Sequence, residues 1–141
     1  PSLVKFDNEG VLLAQLYEEK TTEQLLFQFS HARNYLQKAE AIEELRTKSG
    51  DLMVSSMLRN ALNDSFWAVR KAAVNALRKY KGPEGSAVRK DLQRIALNEK
   101  KGAVRAAAIS ALSTFPNEDF SQEYNAALKD SSYLVVGAAV E

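Results

Sequence analysis

The sequence predicts an all-α protein, an α-α superhelix in which about four helical hairpins stack side by side as a solenoid, preceded by a short N-terminal β-hairpin. Three observations support this fold class. The chain of 141 residues is 45% hydrophobic and 26% charged and has no cysteine, which is typical of a globular domain that folds without disulfides. From residue 21 onward the apolar residues recur with a helical period. A pattern of residues then repeats along the chain, which indicates a repeat architecture.

The first 20 residues alternate between polar and apolar side chains and do not follow a helical period. The cluster Asn8-Glu9-Gly10 separates two β-prone segments and suits a reversal of the chain. We therefore predict a β-hairpin over residues 1–20, at the end of a preceding β-domain, and a helical repeat domain over residues 21–141 that is truncated at its C-terminus. Because a lone hairpin is marginal in water, it either packs on the following helices or belongs to a sheet with other strands.

The helical region opens with local start signals. Thr21 and Gln24 have the spacing of a capping box, a second helix is predicted over residues 35–47, and Asp51 is suited to cap the third. The predicted apolar face of that third helix consists of Met53, Met57, Ala61 and Leu62. Further along, Gly82-Pro83 is predicted to end one helix and start the next, with Pro at the first helical position.

The repeat is clearest in residues 61–77 and 96–112, which align without a gap. A third copy begins at Ala127, and a weaker one ends at Leu45. In each of the three copies that begin at residues 61, 96 and 127, an acidic residue at the predicted helix start is suited to cap amides and to meet the positive end of the helix dipole. These acidic residues are Asp64, Glu99 and Asp130. Alanines on one face of each copy allow adjacent helices to approach closely, so the hairpins can stack as a continuous layer.

The unit Ala-Leu-x-Asp-x-x-x-x-Val-Arg-x-Ala-Ala-x-x-Ala-Leu, complete at residues 61–77, resembles the HEAT repeat of α-solenoids. The resemblance covers about 120 of the 141 residues. Lys38 and Val136 replace the Arg in the first and last units. In that family the acidic residue and the Arg bridge neighbouring hairpins, which implies a scaffold role here. The implied scaffold residues are Asp64, Arg70, Glu99, Arg105 and Asp130.

A narrower resemblance concerns the order of elements. The segments from Val4 to Leu13 and from Glu23 to Ala32, followed by the degenerate first repeat, resemble the passage from the β-domain into the C-terminal HEAT-like region of bacterial zinc aminopeptidases of the aminopeptidase N family. This implies a non-catalytic domain that packs on the catalytic domain of its own chain, shapes substrate access and contacts the peptide substrate. The resemblance also implies zinc in the parent protein, bound upstream by an H-E-x-x-H helix and a later Glu.

Neither of these zinc-binding features occurs in the 141 residues, so we expect no catalytic residue, metal ligand or cofactor in this fragment. His31 is the only histidine, and its position near a predicted helix C-terminus suits an interaction with free carbonyls. Glu40, Glu43 and Glu44 are expected to form a solvated face. No stretch of the sequence is long and apolar enough to predict a membrane span, and the absence of cysteine leaves the cytoplasm and the bacterial envelope equally open.

Charge is unevenly distributed. Residues 70–105 hold eleven Lys or Arg against three Asp or Glu, a local balance of +8 that the rest of the chain offsets with −7. The candidate partner surface consists of Trp67, Lys71, Arg78, Lys79, Arg89, Lys90 and Arg94. Two alternatives to the peptidase domain follow: an adaptor that binds a protein on its concave face, and a nucleic-acid-binding module. Nucleic acid is the less favoured partner because few aromatic residues interleave the basic ones.

Overall fold

The computed structural model describes residues 19–141, and the strands of the predicted N-terminal hairpin lie outside the described residues. Every regular element in this range is a helix. The α-helices are α1 (Thr22–Ser30), α2 (Tyr35–Leu45), α3 (Leu52–Ala61), α4 (Trp67–Leu77), α5 (Gly85–Asn98), α6 (Gly102–Leu112), α7 (Ser121–Leu128) and α8 (Tyr133–Val140). A short 3-10 helix, Arg46–Lys48, extends the C-terminal end of α2.

The eight helices pair into four consecutive hairpins, α1–α2, α3–α4, α5–α6 and α7–α8. The second helices of the hairpins form one layer, in which α2 packs on α4, α4 on α6 and α6 on α8. The first helices form the other layer, in which α1 contacts α3 and α5 contacts α7. Because each hairpin contacts mainly its neighbours along the chain, the described part of the protein is an α-solenoid, as the sequence predicts.

The core lies between the two layers and runs through all four hairpins. It consists largely of Leu, Ile, Val and Ala, and each fully buried large aliphatic side chain stabilises the fold by about 1.5–3 kcal/mol relative to exposure. The largest buried side chains are Leu25, Ile42, Leu45, Leu58, Leu62, Leu77, Leu92, Ile109 and Leu112. Buried alanines, among them Ala73 and Ala108, lie where α4 and α6 pack closely. Within residues 19–141 no helix has the length and hydropathy needed to cross a membrane.

The predicted helix starts at Thr21 and Asp51 are confirmed. The Thr21 Oγ1 accepts from the Gln24 amide at 3.2 Å, and the Gln24 side chain accepts from the Thr21 amide at 2.8 Å, which completes the capping box. Asp51 accepts from the amides of Met53 and Val54 at the start of α3.

Two local predictions are wrong. α4 ends at Leu77, the left-handed residue after it is Lys79 with φ 59°, and α5 begins at Gly85, so Gly82-Pro83 lies in the loop. Gly82 is needed there for space, because a Cβ atom would lie 2.2 Å from the Tyr80 hydroxyl. On α3, Met53 is not a core residue: it is 68% exposed, because no described element covers that face of the first two hairpins.

Candidate functional site

Arg70 joins the second hairpin to the third. It lies in the first turns of α4, and its Nη1 donates to the backbone carbonyls of Asp64 at 2.8 Å and Ser65 at 3.1 Å, in the loop just before its own helix. Its Nε and Nη2 donate to both carboxylate oxygens of Glu99, in the α5–α6 loop, at 2.8 and 2.7 Å. The two side chains are 17% and 7% exposed, so this bidentate pair is largely shielded from water.

Arg105 repeats the arrangement one hairpin later. Its Nη1 donates to the carbonyls of Glu99 and Lys100 at 2.8 and 3.0 Å. Its Nε and Nη2 donate to the carboxylate of Asp130, in the α7–α8 loop, at 2.8 and 2.7 Å. The same geometry at equivalent positions shows that the sequence repeat is also a repeat of side-chain contacts.

The contact pattern changes at the two ends. In the first hairpin Lys38, on α2, takes the place of the Arg, and its ammonium lies 2.5 Å from Asp64 Oδ2. In the fourth hairpin Val136 occupies the equivalent position on α8 and carries no donor. The charge ladder, as we call the contacts among these charged residues, thus connects four hairpins through three bridges. Its members are Lys38, Asp64, Arg70, Glu99, Arg105 and Asp130.

The acidic members do not cap the helices in the way predicted. Each lies two residues before the N-cap residue and accepts the amide of that N-cap, instead of an amide inside the helix. Asp64 accepts from Phe66 at 3.0 Å, Glu99 from Lys101 at 3.0 Å and Asp130 from Ser132 at 2.8 Å. The carboxylates therefore fix the loop conformation and leave an oxygen for the neighbouring hairpin's cation.

The ladder lowers the pKa of its carboxyl groups. The Arg70 guanidinium, against the opposing effect of burial, holds the pKa of Glu99 below its ordinary value. Arg105 does the same to the pKa of Asp130. For Asp64, burial raises the pKa, but the hydrogen bonds from Lys38 and from the Phe66 amide outweigh it, and the pKa is lowered. Each of the three groups therefore takes up its proton at a lower pH in the folded protein than in the unfolded chain.

A second set of polar contacts, which the sequence analysis missed, links the first helices of the hairpins. Arg59 on α3 donates to Asp91 at 2.7 Å and to Glu84 at 3.3 Å, and Glu84 also accepts from the Ser55 hydroxyl at 2.7 Å. The partners are 25 to 32 residues apart in sequence. No pattern in a single helix identifies such pairs, because they depend on which helices become neighbours.

Polar contacts also link α5 and α7, the first helices of the third and fourth hairpins. Gln93 on α5 donates to Glu123 on α7 at 2.8 Å, and Arg89 lies 3.2 Å from Glu118 in the preceding loop. Glu123 is only 4% exposed, so this hydrogen bond supplies a partner for a buried carboxylate.

The candidate partner residues divide between the two layers. Lys71 on α4 and Arg78, the residue that follows α4, line an open groove of about 390 Å³ that runs across α6 to α8. The floor of this groove is made of small side chains, and its far wall presents Tyr133 and Leu134. The small residues are Ala103, Ala106, Ala107, Ser110, Gly137 and Ala138. Lys79 follows α4 and, with Arg46 and Arg78, lines a neighbouring depression.

The other basic candidates lie away from the groove on α5. Arg89 pairs with Glu118, Arg94 donates to the Asn63 side chain at 3.2 Å, and Lys90 is exposed. With Arg70 and Arg105 also bound to carboxylates, three of the eleven cations at residues 70–105 pair with acidic groups of residues 19–141. This leaves fewer cations for a phosphate backbone than the sequence count implies.

Trp67 contacts its own chain. It begins α4, packs against the core, and the Lys101 ammonium lies 5.0 Å from its ring centroid. The ring of Phe66 contacts both Trp67 and Tyr35. Its centroid lies 6.0 Å from that of Trp67 and 4.4 Å from that of Tyr35. These contacts place the ring of Trp67 between the loop of its own hairpin and the α5–α6 loop of the next hairpin, and leave it partly exposed.

His31 ends α1, as predicted. Its backbone amide donates to the Phe27 carbonyl at 3.0 Å, its Nδ1 lies 3.1 Å from that carbonyl, and its ring stacks on Phe27. Glu40, Glu43 and Glu44 are exposed, and the latter two pair with Arg46 and Lys20. Among residues 19–141 no group of three His, Cys, Asp or Glu side chains is placed to hold a metal ion.

Stacked hairpins joined by a repeated Arg–carboxylate contact define the protein as an α-solenoid built from helical repeats. A family model described as HEAT repeats matches residues 22–113, more than half of the chain, and the chain belongs to the HEAT-repeat family. Comparison with curated proteins and with solved structures found no match. Helical modules of this kind are scaffolds whose extended surfaces interact with other proteins.

Proposed function

We propose that this chain is a non-catalytic scaffold that binds protein through the groove formed by α4, α6 and α8. The observation that carries the proposal is the composition of that groove. Its floor is made almost entirely of Ala, Gly and Ser side chains, so the backbone of a bound segment can approach α6 closely. An open channel with a small-residue floor and large walls suits an extended peptide or a loop.

The two walls differ in chemistry, so a bound segment has a preferred orientation in the groove. Lys71 and Arg78 on the α4 side attract carboxylates, because neither forms an ion pair within residues 19–141, not even with Glu141, which also lines the groove. Tyr133 and Leu134 on the α8 side are 94% and 64% exposed and offer apolar contact area. A segment with acidic groups on one side and apolar groups on the other complements both walls.

At a finer level, we propose that the scaffold is the C-terminal helical domain of a zinc aminopeptidase. The support is the resemblance of Val4 to Leu13 and of Glu23 to Ala32 to the passage into the helical region of that family. The partner is then the catalytic domain of the same polypeptide, which supplies the zinc, its ligands and the general base. The groove contacts the end of the peptide substrate that carries the free carboxylate.

The upstream sequence of the gene is the first test. The peptidase proposal expects an H-E-x-x-H motif and a later Glu in the preceding catalytic domain. A gene without that motif contradicts the peptidase proposal and leaves the protein-binding scaffold, an adaptor for a separate partner, as the function.

The second test uses the whole parent protein. Reversing both wall charges with Lys71→Glu and Arg78→Glu should raise the KM for a tetrapeptide and leave the KM for an aminoacyl amide, which has no distal carboxylate, unchanged. The matched control is Lys90→Glu, an exposed lysine on α5 in the other layer. Equal KM changes for both substrates, or for the control variant, would contradict a role of the groove in substrate binding.

A further inference from the structure

The surface between α1 and α3 is an apolar groove of about 540 Å³. Leu26 and Phe29 line it from α1, and Leu52, Met53 and Met57 line it from α3. Its remaining lining residues, Ser30, Ser56 and Asn60, are uncharged. Leu52 and Met53 are 59% and 68% exposed. An apolar groove whose lining carries no charged side chain is a candidate contact surface.

Further along the same layer, the surfaces between successive first helices are bridged by polar side-chain pairs. Arg59 binds Asp91 between α3 and α5, and Gln93 binds Glu123 between α5 and α7. Among residues 19–141 no such pair crosses from α1 to α3. The first surface of the layer is therefore different in kind from those that follow, because it offers apolar area where the others offer matched polar groups.

We propose that residues 3–17 of the same chain cover this groove, with their apolar side chains against Leu52, Met53 and Met57. The segment is rich in large apolar residues for its length: Leu3, Val4, Phe6, Val11, Leu12, Leu13, Leu16 and Tyr17. This inference goes beyond the proposed function, since it concerns how the chain preceding the solenoid attaches to it.

The connection favours this occupant over a separate molecule. Residue 17 is five positions before α1, which itself forms one wall of the groove, and such a linker spans at most about 18 Å. A segment held by so short a linker has an effective concentration on the order of millimolar, which a second copy or a free partner does not reach in dilute solution.

The test is a paramagnetic relaxation experiment on the full 141-residue chain. Because the chain has no cysteine, Asp7→Cys creates a single attachment point for a nitroxide within the segment. We expect the amide signals of Phe29, Met53 and Met57 to lose most of their intensity. The amides of α7, at the other end of the layer, should keep theirs and serve as the internal control.

Two variants of the labelled chain locate the contact. Met53→Asp places a charge in the apolar groove and should abolish the intensity loss. It should not disturb folding, because Met53 is exposed and lies in the first turn of α3, where an acidic residue is favourable. Leu128→Asp, at an exposed apolar residue of α7, is the matched control and should leave the intensity loss unchanged.

Three results would overturn the proposal. One is equal intensity at the groove and at α7 in the labelled chain. Another is intensity loss that survives Met53→Asp, which would place the segment elsewhere. The third is a loss of signal intensity in an isotope-enriched chain that carries no nitroxide, when it is mixed with a nitroxide-labelled chain that is not isotope-enriched. This result would show that a second copy occupies the groove.

Discussion

The guanidinium groups of Arg70 and Arg105 each bind two loops at once. One nitrogen donates to the two carbonyls of the loop before the helix, and the other two nitrogens grip a carboxylate from the next hairpin. Only the planar fork of Arg provides donors in both directions. Lys38, with a single ammonium, makes the carboxylate contact alone.

Replacing Arg70 with Ala should therefore destabilise the protein by about 1–3 kcal/mol, because it leaves the shielded Glu99 carboxylate without its cation and two carbonyls without a donor. Chemical denaturation monitored by circular dichroism measures this change. The control, Arg78→Ala, removes an exposed Arg next to the same helix and should shift the free energy of unfolding by less than about 0.5 kcal/mol. Similar values for the two variants would show that Arg70 is not a structural bridge.

At the scale of the element, the helices themselves follow from local sequence. The repeat at residues 61–77 and 96–112 predicted α4, α6 and their buried faces, and the start signals at Thr21 and Asp51 placed α1 and α3. The predictions fail at positions where the role of a residue depends on tertiary packing. Gly82 serves close approach to Tyr80 instead of a helix end, a role that depends on the fold of the loop and not on its composition.

The polar contacts between the first helices of the hairpins could not be predicted for the same reason. Arg59, Glu84 and Asp91 look like ordinary surface charges on their own helices, and only the stacking of hairpins brings them together. Of the candidate site, five of the six ladder residues were identifiable because the repeat marks equivalent positions; Lys38 was recognised only as a replacement of the Arg. The groove of small residues was not, since alanines on a helix are also what close packing requires.

Two glycines at helix positions should respond oppositely to the same substitution. A Cβ at Gly102, the first residue of α6, would lie 2.6 Å from the Ser132 Oγ and 2.9 Å from its Cβ, so Gly102→Ala should destabilise the protein by about 1–3 kcal/mol. Gly137, inside α8, has nothing within 4 Å of that position, and Gly137→Ala should stabilise by about 0.5–1 kcal/mol. Thermal melts of the two variants decide the matter, and a shift of the same sign for both would contradict the packing described here.

At the scale of the whole molecule, the charge ladder makes stability depend on pH. The carboxyl groups of Asp64, Glu99 and Asp130 have lower pKa values folded than unfolded, so their contribution is complete above the unfolded values. As the pH falls, the unfolded chain takes up protons first, and the stabilisation is lost progressively from about pH 5 downward as the pH approaches the folded pKa values.

We therefore expect the melting temperature to be constant from about pH 7 to pH 5.5 and to fall steeply below about pH 4.5. The variant Glu99→Gln lacks one of the titrating carboxyl groups. Its melting temperature at neutral pH should be lower than that of the parent chain, but the decrease in melting temperature between neutral and acid pH should be smaller. Parallel curves for the two proteins would show that the Arg70–Glu99 pair does not carry the acid dependence.

The central claim is that the repeated charged residues hold neighbouring hairpins together. A double-mutant cycle on Arg105 and Asp130 tests it most directly, because these residues belong to the third and fourth hairpins and contact each other through two hydrogen bonds. Unfolding free energies of Arg105→Ala, Asp130→Ala and the double variant should give a coupling energy of about 1–3 kcal/mol. Additivity within about 0.5 kcal/mol would contradict the account.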